Sequence, residues 1–423
     1  MLAHVIATAE SLQPAAIHVV YGHGGNSVRD TLVAAPVDWI EQTKQLGTGH
    51  AVQVAMPGVS SEKVLVLYGD VPLIRSETLG HVIQATAANA VGLLTLEMDD
   101  PAGYGRIQRN RAGQVQRIIE QKDANEQQLA IREINTGILC LPRALLDDAL
   151  PRLSSNNAQG EYYLTDLIEM AVDAGLSINT IQPTHAWEVD GVNDRVQLAR
   201  LERIYQSLQA EELMRAGVSL ADPARFDLRG ELDCGEDVYL DVNTVIEGRV
   251  RIGRNVRIGP NCLLRNSDIA DHACIEANSI VDGAQVGEQC TVGPFARLRP
   301  GTVLAARAKV GNFVETKQAQ VGEGSKINHL SYIGDAELGA DVNVGAGTIT
   351  CNYDGANKST TRMGDRVFIG SNSSLVAPLT IADDATVGAG SVITRDIKQG
   401  ELGVARGKQR NVSSWQRPRK KDT

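Results

Sequence analysis

Three basic side chains in the second half of the chain, two cations and one histidine, could act together in catalysis. They are Arg299, Lys317 and His329. A histidine, with an ordinary pKa of about 6.5, can accept a proton from an amine near neutral pH. Arginine grips phosphate in a bidentate fork, and lysine supplies a point charge. These types permit base catalysis on a phosphorylated substrate, although taken alone such residues are more often solvated surface positions.

The first half offers an acid at the end of a strand-like run. Residues 64–68 have the sequence Val-Leu-Val-Leu-Tyr and lead into Gly69 and Asp70. In open α/β sheets ligands bind beyond the carboxyl ends of strands, so Asp70 is a candidate for holding a metal or a phosphate. An Asp at a strand end is, by itself, more often a turn or cap residue. The glycine-containing segments 45–49, 103–107 and 135–137 could approach the same ligand, but such turns are common.

The elements that position the second group of residues repeat every six residues. A period of six fits neither an amphipathic helix nor an alternating strand, so it predicts a coil in which each short strand contributes one inward side chain. Stacked coils form a parallel β-helix, and we expect the glycine that often follows the inward residue to turn the corner. The inward positions are Leu240, Ile246, Ile252, Ile258, Leu264, Val286, Val292, Leu298, Ile369, Leu375, Ile381, Val387 and Ile393.

The six-residue period is interrupted between Val344 and Ile369. Residues 350–358 have the sequence Thr-Cys-Asn-Tyr-Asp-Gly-Ala-Asn-Lys and cannot fit a six-residue turn. We therefore predict that they form a loop outside the coil, and loops on rigid scaffolds are where binding groups collect.

The first half alternates strand-like and helical segments. Strands are predicted at 17–21 and 64–68 and a helix at 76–88, which is typical of a doubly wound α/β domain. One long helix is predicted to link the halves. The predicted organisation is an α/β domain over 1–192, a linker helix over 193–216 and a β-helix with a basic tail over 217–423.

Composition excludes several classes of protein. The chain has 423 residues and a formal net charge of −10, which argues against a general nucleic-acid binder or an anionic-membrane binder. Its six cysteines form no CxxC pair, and no run approaches the roughly 20 apolar residues of a membrane span. We predict a soluble cytoplasmic protein with no membrane insertion. The cysteines are Cys140, Cys234, Cys262, Cys274, Cys290 and Cys351.

Six segments of the first half together resemble the motifs of one enzyme family. These segments and the β-helix resemble the bacterial bifunctional N-acetylglucosamine-1-phosphate uridyltransferase/glucosamine-1-phosphate N-acetyltransferase over essentially the whole chain. The resemblance implies an enzyme of UDP-N-acetylglucosamine synthesis, with Mg²⁺ as cofactor, UTP and acetyl-CoA as co-substrates, a left-handed β-helix and a homotrimer. The segments are 46–50 (Leu-Gly-Thr-Gly-His), 68–70 (Tyr-Gly-Asp), 103–107 (Gly-Tyr-Gly-Arg-Ile), 120–123 (Glu-Gln-Lys-Asp), 133–137 (Glu-Ile-Asn-Thr-Gly) and 188–193 (Glu-Val-Asp-Gly-Val-Asn).

The same resemblance implies roles for individual residues. In the first half, Asp70 and Asn193 would hold magnesium; the UTP and sugar contacts would be Gln42, Gly47, Thr48, Tyr68, Gly69, Asp70, Gly105, Glu120, Asn135 and Asn193. Among these, the uracil contacts would be Gln42, Gly47 and Thr48, and the sugar contacts would be Gly105, Glu120 and Asn135. In the β-helix, His329 would be the base, and the glucosamine-1-phosphate contacts would be Arg299, Lys317, Tyr332 and Asn343. Acetyl-CoA would contact Ala346, Asn352, Tyr353, Ser371, Ala389 and Arg406. Apart from the resemblance, the basic and unpatterned segment 406–421 is either a solvated tail or, as we favour, a cover for the CoA phosphates.

One segment of the family pattern has no counterpart. In that family the first strand leads into a Gly-x-Gly-x-x-Met loop, followed by a Lys, that cradles the triphosphate; residues 1–6 here resemble the helix after that loop. Phosphoryl chemistry of this kind depends on positioning and charge, so we expect weak or absent uridyltransferase activity. The missing strand would lie between 17–21 and 64–68. We expect a late-assigned start or a truncated gene.

Two other functions remain open. One is an acetyltransferase with a defunct sugar-nucleotide domain. The other is a non-catalytic β-helix scaffold or regulator, for which His329 would be unimportant.

Overall fold

The computed structural model describes residues 1–22 and 24–418. They form two compact units, Met1–Glu202 and a second unit that begins at Arg203. The division falls inside the long helix Arg195–Arg215, and the domain boundaries given above stay predictions. None of the helices in the described ranges combines the length and apolar character needed to cross a bilayer. The end of the basic segment, from residue 419, lies outside the described residues.

The first unit is an α/β domain. Its helices are α1 Leu2–Ser11, α2 Asn26–Thr31, α3 Thr48–Ala55, α4 Ser76–Gln84, α5 Glu126–Leu129, α6 Arg143–Ala149 and α7 Asp166–Asp173, and α8 Arg195–Arg215 follows. Its strands are β1 His18–Tyr21, β2 Asp38–Glu41, β3 Lys63–Val66, β4 Ala90–Glu97, β5 Arg106–Arg109, β6 Val115–Ile119, β7 Glu133–Pro142 and β8 Ser177–Ile181. Helix α4 ends at Gln84, before the predicted residue 88, because residues 87 and 90 close a tight turn into β4.

The sheet of the first unit is mixed rather than purely parallel. Its order is β6-β5-β7-β4-β8, with β3 pairing the other part of β7. The β4–β8 pair is parallel, whereas β7 runs antiparallel to β3, β4 and β5. Strand β4 and most of β7 are buried, which matches their aliphatic sequences. The long strand β7 therefore organises the sheet around which the predicted ligand residues lie.

Strands β1 and β2 form a separate two-stranded parallel sheet. Strand β3 pairs with β7 on one side only, so neither β1 nor β3 joins the other. A cavity of about 690 Å³ lies between them, lined by residues of β1, β3, α1 and α3. Strands β1 and β3 therefore belong to different sheets of the first unit.

The second unit is a parallel β-helix, as the six-residue period predicts. Leu228 pairs with Ile246, Ile246 with Leu264 and Leu264 with Val281, so successive coils take 18, 18 and 17 residues, or about three six-residue units. All thirteen predicted inward residues are buried in one continuous core. Strand β12 turns a corner of the β-helix. Its first part pairs with β14 and its last part pairs with β15, so two faces of the β-helix belong to one sheet.

The strands of the second unit are short. They are β9 Ser219–Leu220, β10 Phe226–Cys234, β11 Tyr239–Leu240, β12 Thr244–Ile252, β13 Arg257–Ile258, β14 Leu263–Arg265, β15 Asp268–Ile269, β16 Cys274–Ile275, β17 Ile280–Asp282, β18 Gln285–Val286, β19 Thr291–Val292, β20 Arg297–Leu298, β21 Val303–Leu304, β22 Lys309–Asn312, β23 Glu315–Val321, β24 Lys326–His329, β25 Tyr332–Leu338, β26 Asn343–Val344, β27 Ile349–Cys351, β28 Thr361–Met363, β29 Phe368–Ile369, β30 Ser374–Val376, β31 Leu379–Ile381, β32 Thr386–Val387, β33 Val392–Ile393 and β34 Leu402–Gly403.

The glycine after the inward residue has a different role from the one predicted. Left-handed corners are occupied mostly by polar residues such as Asn243, Asn261 and Asn278, with φ near +60°. At Gly259 and Gly370 the backbone is not left-handed, but a Cβ would approach Ala277 N to 2.8 Å and Ala389 N to 2.5 Å respectively. These glycines let successive coils approach closely, and asparagine supplies the left-handed turn because it tolerates that conformation better than most residues.

Candidate functional site

One corner of the β-helix aligns residues from successive coils. The backbone carbonyl of Asn312 accepts a hydrogen bond from Leu330 N–H at 3.0 Å, and the carbonyl of His329 accepts one from Gly347 N–H at 3.3 Å. The same step repeats twice more, with acceptors Ala346 and Ser371. Asn312, His329, Ala346 and Ser371 therefore occupy equivalent positions in four consecutive coils. We call this alignment the His329 column.

The top of the His329 column includes two further predicted residues. Gly390 N–H donates to the carbonyl of Ser371, which puts Ala389 beside Ser371 in the next coil. Arg406 Nη1 donates to the carbonyl of Ala389 at 2.7 Å. The structure therefore brings Ala346, Ser371, Ala389 and Arg406 into line with His329, although they are distant in sequence.

A second alignment lies around the corner from His329 in the same coils. Arg299 is equivalent to Lys317, since Arg299 N–H donates to Thr316 O, and Lys317 pairs with Gly334. Glu315 pairs with Tyr332, and Glu315 Oε1 accepts from Arg299 Nη1 at 2.9 Å. The predicted acceptor residues Arg299, Lys317 and Tyr332 are thus close neighbours. Asn343 is not among them, because it pairs with Lys326 and Phe368 on another face.

A loop leaves the coil in this segment, but it spans residues 352–360 rather than the predicted 350–358, because Thr350 and Cys351 still pair within the coil. β27 ends at Cys351 and β28 begins at Thr361, and both pair with β25. Within the loop Tyr353 and Lys358 form an antiparallel bridge, and the Asn352 amide donates to the Asp335 carboxylate. The loop thereby carries Asn352, Tyr353 and Lys358 to the face that holds Lys317.

Positive charge is concentrated at this face. The ammonium of Lys358 lowers the pKa of Lys317, and Arg299 acts in the same direction. The carboxylate of Asp335 acts on Lys317 in the opposite direction, and Glu315 pairs with Arg299, so part of this charge is balanced. An anion bound beside Lys317 and Lys358 would relieve the repulsion between these two ammonium groups. The sequence assigned no role to Lys358, because nothing in the sequence of the loop indicates that this lysine lies close to Lys317.

The predicted uridyltransferase residues converge in the first unit. The carbonyl of Asp70 accepts a hydrogen bond from Val192 N–H at 3.0 Å, so Asn193 follows directly beside the Asp70 segment. Asp70 is half-buried and Asn193 is exposed. Gly69 stands between Asp70 and Tyr68, whose pKa rises to about 12 through burial and then through the charges of Glu120 and Asp70.

The predicted sugar contacts form a half-buried pocket beside Tyr68. Asn135 N–H donates to Gly105 O at 2.8 Å, and Glu120 Oε1 accepts from Thr165 Oγ1 at 2.9 Å. Burial raises the pKa of Glu120. Gly105 is buried against Ile118 and Glu120. The contacts bring Gly105, Glu120 and Asn135 to one place, as the resemblance implies.

Replacing Gly137 by Ala tests how tightly this pocket is packed. Gly137 has φ of +83°, and a Cβ there would overlap the ring of Tyr68. We expect Gly137→Ala to lower the free energy of unfolding of the first unit by about 1–3 kcal/mol. Unfolding in urea, monitored by circular dichroism, measures this change in the free energy of unfolding. Gly113→Ala is the matched control, because Gly113 also has positive φ but its Cβ would meet nothing within 4 Å.

The predicted uracil contacts form a compact loop. Gln42 Nε2 donates to Gly47 O at 3.2 Å, and Leu164 N–H donates to Thr48 Oγ1 at 3.1 Å. Gly47 has φ of +107°, and a Cβ there would lie 2.7 Å from Tyr162 O. The structure therefore brings Gln42, Gly47 and Thr48 together at the start of α3.

Comparison with known proteins decides the family. The chain is 60% identical over 421 residues to the bifunctional protein GlmU of Marinobacter nauticus, covering 99% of this chain and 93% of that protein. It is 61% identical to the GlmU of Alcanivorax borkumensis, with 99% and 93% covered, and 58% identical to that of Stutzerimonas stutzeri, with 100% and 93% covered. The chain belongs to the GlmU family.

Family models of single domains agree with the two-part GlmU organisation. Residues 1–160 match the MobA-like NTP transferase domain, and residues 360–395 match the bacterial transferase hexapeptide model of six repeats. Residues 228–321 match the GMPPB C-terminal domain. An α/β nucleotidyltransferase domain followed by a hexapeptide β-helix is therefore the fold of this chain.

The donor set at Asp70 is compatible with magnesium, which the GlmU resemblance implies. Within residues 1–22 and 24–418 no cluster of three or more His, Cys, Asp or Glu side chains could hold a metal ion. Mg²⁺ does not need such a cluster, because it commonly takes one or two protein carboxylates and completes its shell with water and substrate phosphate. One carboxylate from Asp70 and one amide oxygen from the adjacent Asn193 fit that pattern.

Proposed function

We propose that this chain transfers an acetyl group from acetyl-CoA to the amino group of glucosamine-1-phosphate. We also propose that its first unit has the fold of a domain that transfers uridylyl from UTP to the N-acetylated product. The observation that carries the acetyltransferase proposal is the His329 column. It aligns a candidate base with four of the six residues that the resemblance assigns to acetyl-CoA, next to a cluster of three cations. UDP-N-acetylglucosamine made in this way serves peptidoglycan and lipopolysaccharide synthesis.

In the proposed acetyl transfer, His329 acts as general base. It removes a proton from the ammonium of the acceptor, and the free amine then attacks the thioester carbonyl. The C–N bond forms as the C–S bond breaks, and CoA leaves as a thiolate that takes up a proton. His329 is exposed, which gives substrate access to its ring. General-base assistance of this kind is typically worth about 10²–10⁴ in rate.

The acceptor phosphate would bind at the cations. Arg299, Lys317 and Lys358 supply the positive charge, and Tyr332 lies beside them through its pairing with Glu315. Asn352 and Tyr353 in the loop would contact acetyl-CoA or the sugar. Arg406, held on Ala389, would begin the cover over the CoA phosphates.

The proposed uridylyl site would use Asp70 and Asn193 to hold Mg²⁺ when it is bound. The ion would neutralise charge on the UTP and sugar phosphates. Gln42, Gly47 and Thr48 would orient the uracil, and Gly105, Glu120 and Asn135 would hold the sugar. We propose that this activity is weak or absent in the chain as it stands. The separation of β1 from β3 by a cavity of about 690 Å³ supports this, because the site depends on rigid positioning.

The split sheet also favours the second candidate, an acetyltransferase with a defunct sugar-nucleotide domain. The experiment that tests the main proposal is CoA release by the purified chain from acetyl-CoA in the presence of glucosamine-1-phosphate. We expect release to require both substrates. Absence of release from a folded, trimeric chain would support the third candidate, a non-catalytic scaffold.

We propose that three copies associate through the β-helix. Apolar side chains are exposed along its sides, and the rings of Phe295 and Phe313 stack at 5.2 Å between centroids. Exposed patches of this kind mark interaction surfaces. Sedimentation equilibrium is expected to give three times the chain mass of 45.3 kDa. A monomeric mass would contradict both the trimer and an acetyl-CoA site shared between copies.

The six cysteines are unpaired in the structure. Burial raises the pKa of several of these thiols, including Cys140, Cys262 and Cys290. A reducing cytoplasm is the proposed location, because such thiols there stay protonated and inert.

A further inference from the structure

Asn312 makes the closest side-chain contact of the proposed base. Its Oδ1 lies 2.5 Å from Nδ1 of His329. The two residues are in register on β22 and β24, which are neighbouring parallel strands of successive coils. Sequence reasoning gave Asn312 no role, because a separation of 17 residues only becomes a contact once the coils stack.

The backbone holds both side chains in matching orientations. Asn312 and His329 each precede a left-handed corner residue, Phe313 with φ of +55° and Leu330 with φ of +50°. Leu330 N–H donates to Asn312 O at 3.0 Å, and a Cβ at Gly311 would overlap the carbonyl of Asn328. The close stacking of these two coils therefore fixes Asn312 directly against the imidazole.

The contact determines which ring nitrogen carries the proton. An amide oxygen only accepts hydrogen bonds, so it selects the tautomer in which Nδ1 of His329 carries the hydrogen. Nε2 then keeps its lone pair and can accept a proton. Because the amide is neutral, it orients the ring without adding the charge that a carboxylate partner would bring. Ala346, the equivalent residue on the other side of His329, has no polar side-chain atom to compete for the ring.

We propose that Asn312 is the positioning residue of the acetyltransferase, which holds His329 in the tautomer that presents Nε2 as the base. The inference rests on the proposed acetyl transfer and adds a residue that acts through His329 rather than on substrate. The asparagine is itself half-buried, whereas His329 is exposed and keeps its ring open to substrate.

The test first compares two variants of Asn312 with the parent chain in steady-state acetyl transfer. Asn312→Leu keeps a similar shape but removes the acceptor, and we expect kcat to fall about 10-fold, the equivalent of about 1.4 kcal/mol and of one lost hydrogen bond. KM for glucosamine-1-phosphate and for acetyl-CoA should change less than about twofold. Asn312→Asp keeps an acceptor oxygen, so it should retain most of kcat.

A double variant separates a positioning role from a structural one. In the His329→Ala background, Asn312→Leu should cause no further loss, because its effect passes through the imidazole. Additive losses, or equal losses in Asn312→Leu and Asn312→Asp with lowered thermal stability, would overturn the proposal. If the parent chain transfers acetyl and Asn312→Leu equals it, this inference fails while the proposed function stands. If the parent chain releases no CoA, the proposed function itself fails.

Discussion

Replacing His329 by Ala is expected to lower kcat for acetyl transfer by about 10²–10⁴-fold. The physical reason is that the acceptor amine is protonated near neutral pH and cannot attack a thioester until a base removes the proton. His329 is exposed and its ring contacts Asn312, so its removal leaves no cavity in the β-helix core. Release of CoA, followed with a thiol reagent at saturating acetyl-CoA, measures the effect.

His272→Ala is the matched control for that experiment. Like His329, His272 is an exposed histidine of the β-helix, but it is itself a left-handed corner residue and lies between one and two coils before Arg299. The control should keep full activity, and both variants should keep the sedimentation behaviour of the parent chain. An active His329→Ala chain would rule out His329 as the base and would favour an acetyl transfer that relies on positioning alone.

The second prediction with a large expected effect concerns uridylyl transfer by the first unit. With UTP, Mg²⁺ and N-acetylglucosamine-1-phosphate, the chain is expected to release pyrophosphate at less than about one hundredth of its rate of CoA release, because uridylyl transfer depends on positioned charges. In the structure β1 pairs with β2 in a sheet of their own, and β3 pairs with β7 in another. A coupled pyrophosphate assay in the same tube as the acetyl-transfer reaction measures both rates.

Acetyl transfer in that tube serves as the internal control for a folded chain. A GlmU relative, such as the one from Marinobacter nauticus, serves as the positive control for the pyrophosphate assay. Robust formation of UDP-N-acetylglucosamine by the chain would contradict the proposal. It would mean that the divided sheet is still able to position UTP.

The sites were predicted from sequence to different extents. The separate segments around Asp70, Glu120 and Asn135 were recognised through their resemblance. In the structure the charges of Asp70 and Glu120 both raise the pKa of Tyr68, and Asn135 N–H donates to Gly105 O beside Glu120. The resemblance already grouped Arg299 with Lys317, but the proximity of Lys358 to Lys317 was not predicted, because it depends on how a loop folds back over the coil. The sequence likewise gave no reason to pair Asn312 with His329.

The role of the repeat glycines shows why such details escape sequence reasoning. A glycine beside an inward residue suggests a turn, but in the structure Gly259 and Gly370 have ordinary backbone angles and are required by the close approach of the next coil. The turns themselves are made by residues such as Asn261 and Asn278. Which of the two constraints applies depends on contacts between coils, which local sequence does not specify.

The sequence by itself determined the β-helix and its inward residues, because a six-residue period with one aliphatic residue per repeat is typical of stacked coils. It also determined the family, because the family segments span the chain. The tertiary structure alone decided which side chains of different coils meet. Coil lengths of 17 and 18 residues set the register that aligns His329 with Asn312 below and Ala346 above, and that register arises from coil-to-coil hydrogen bonding rather than from any local pattern.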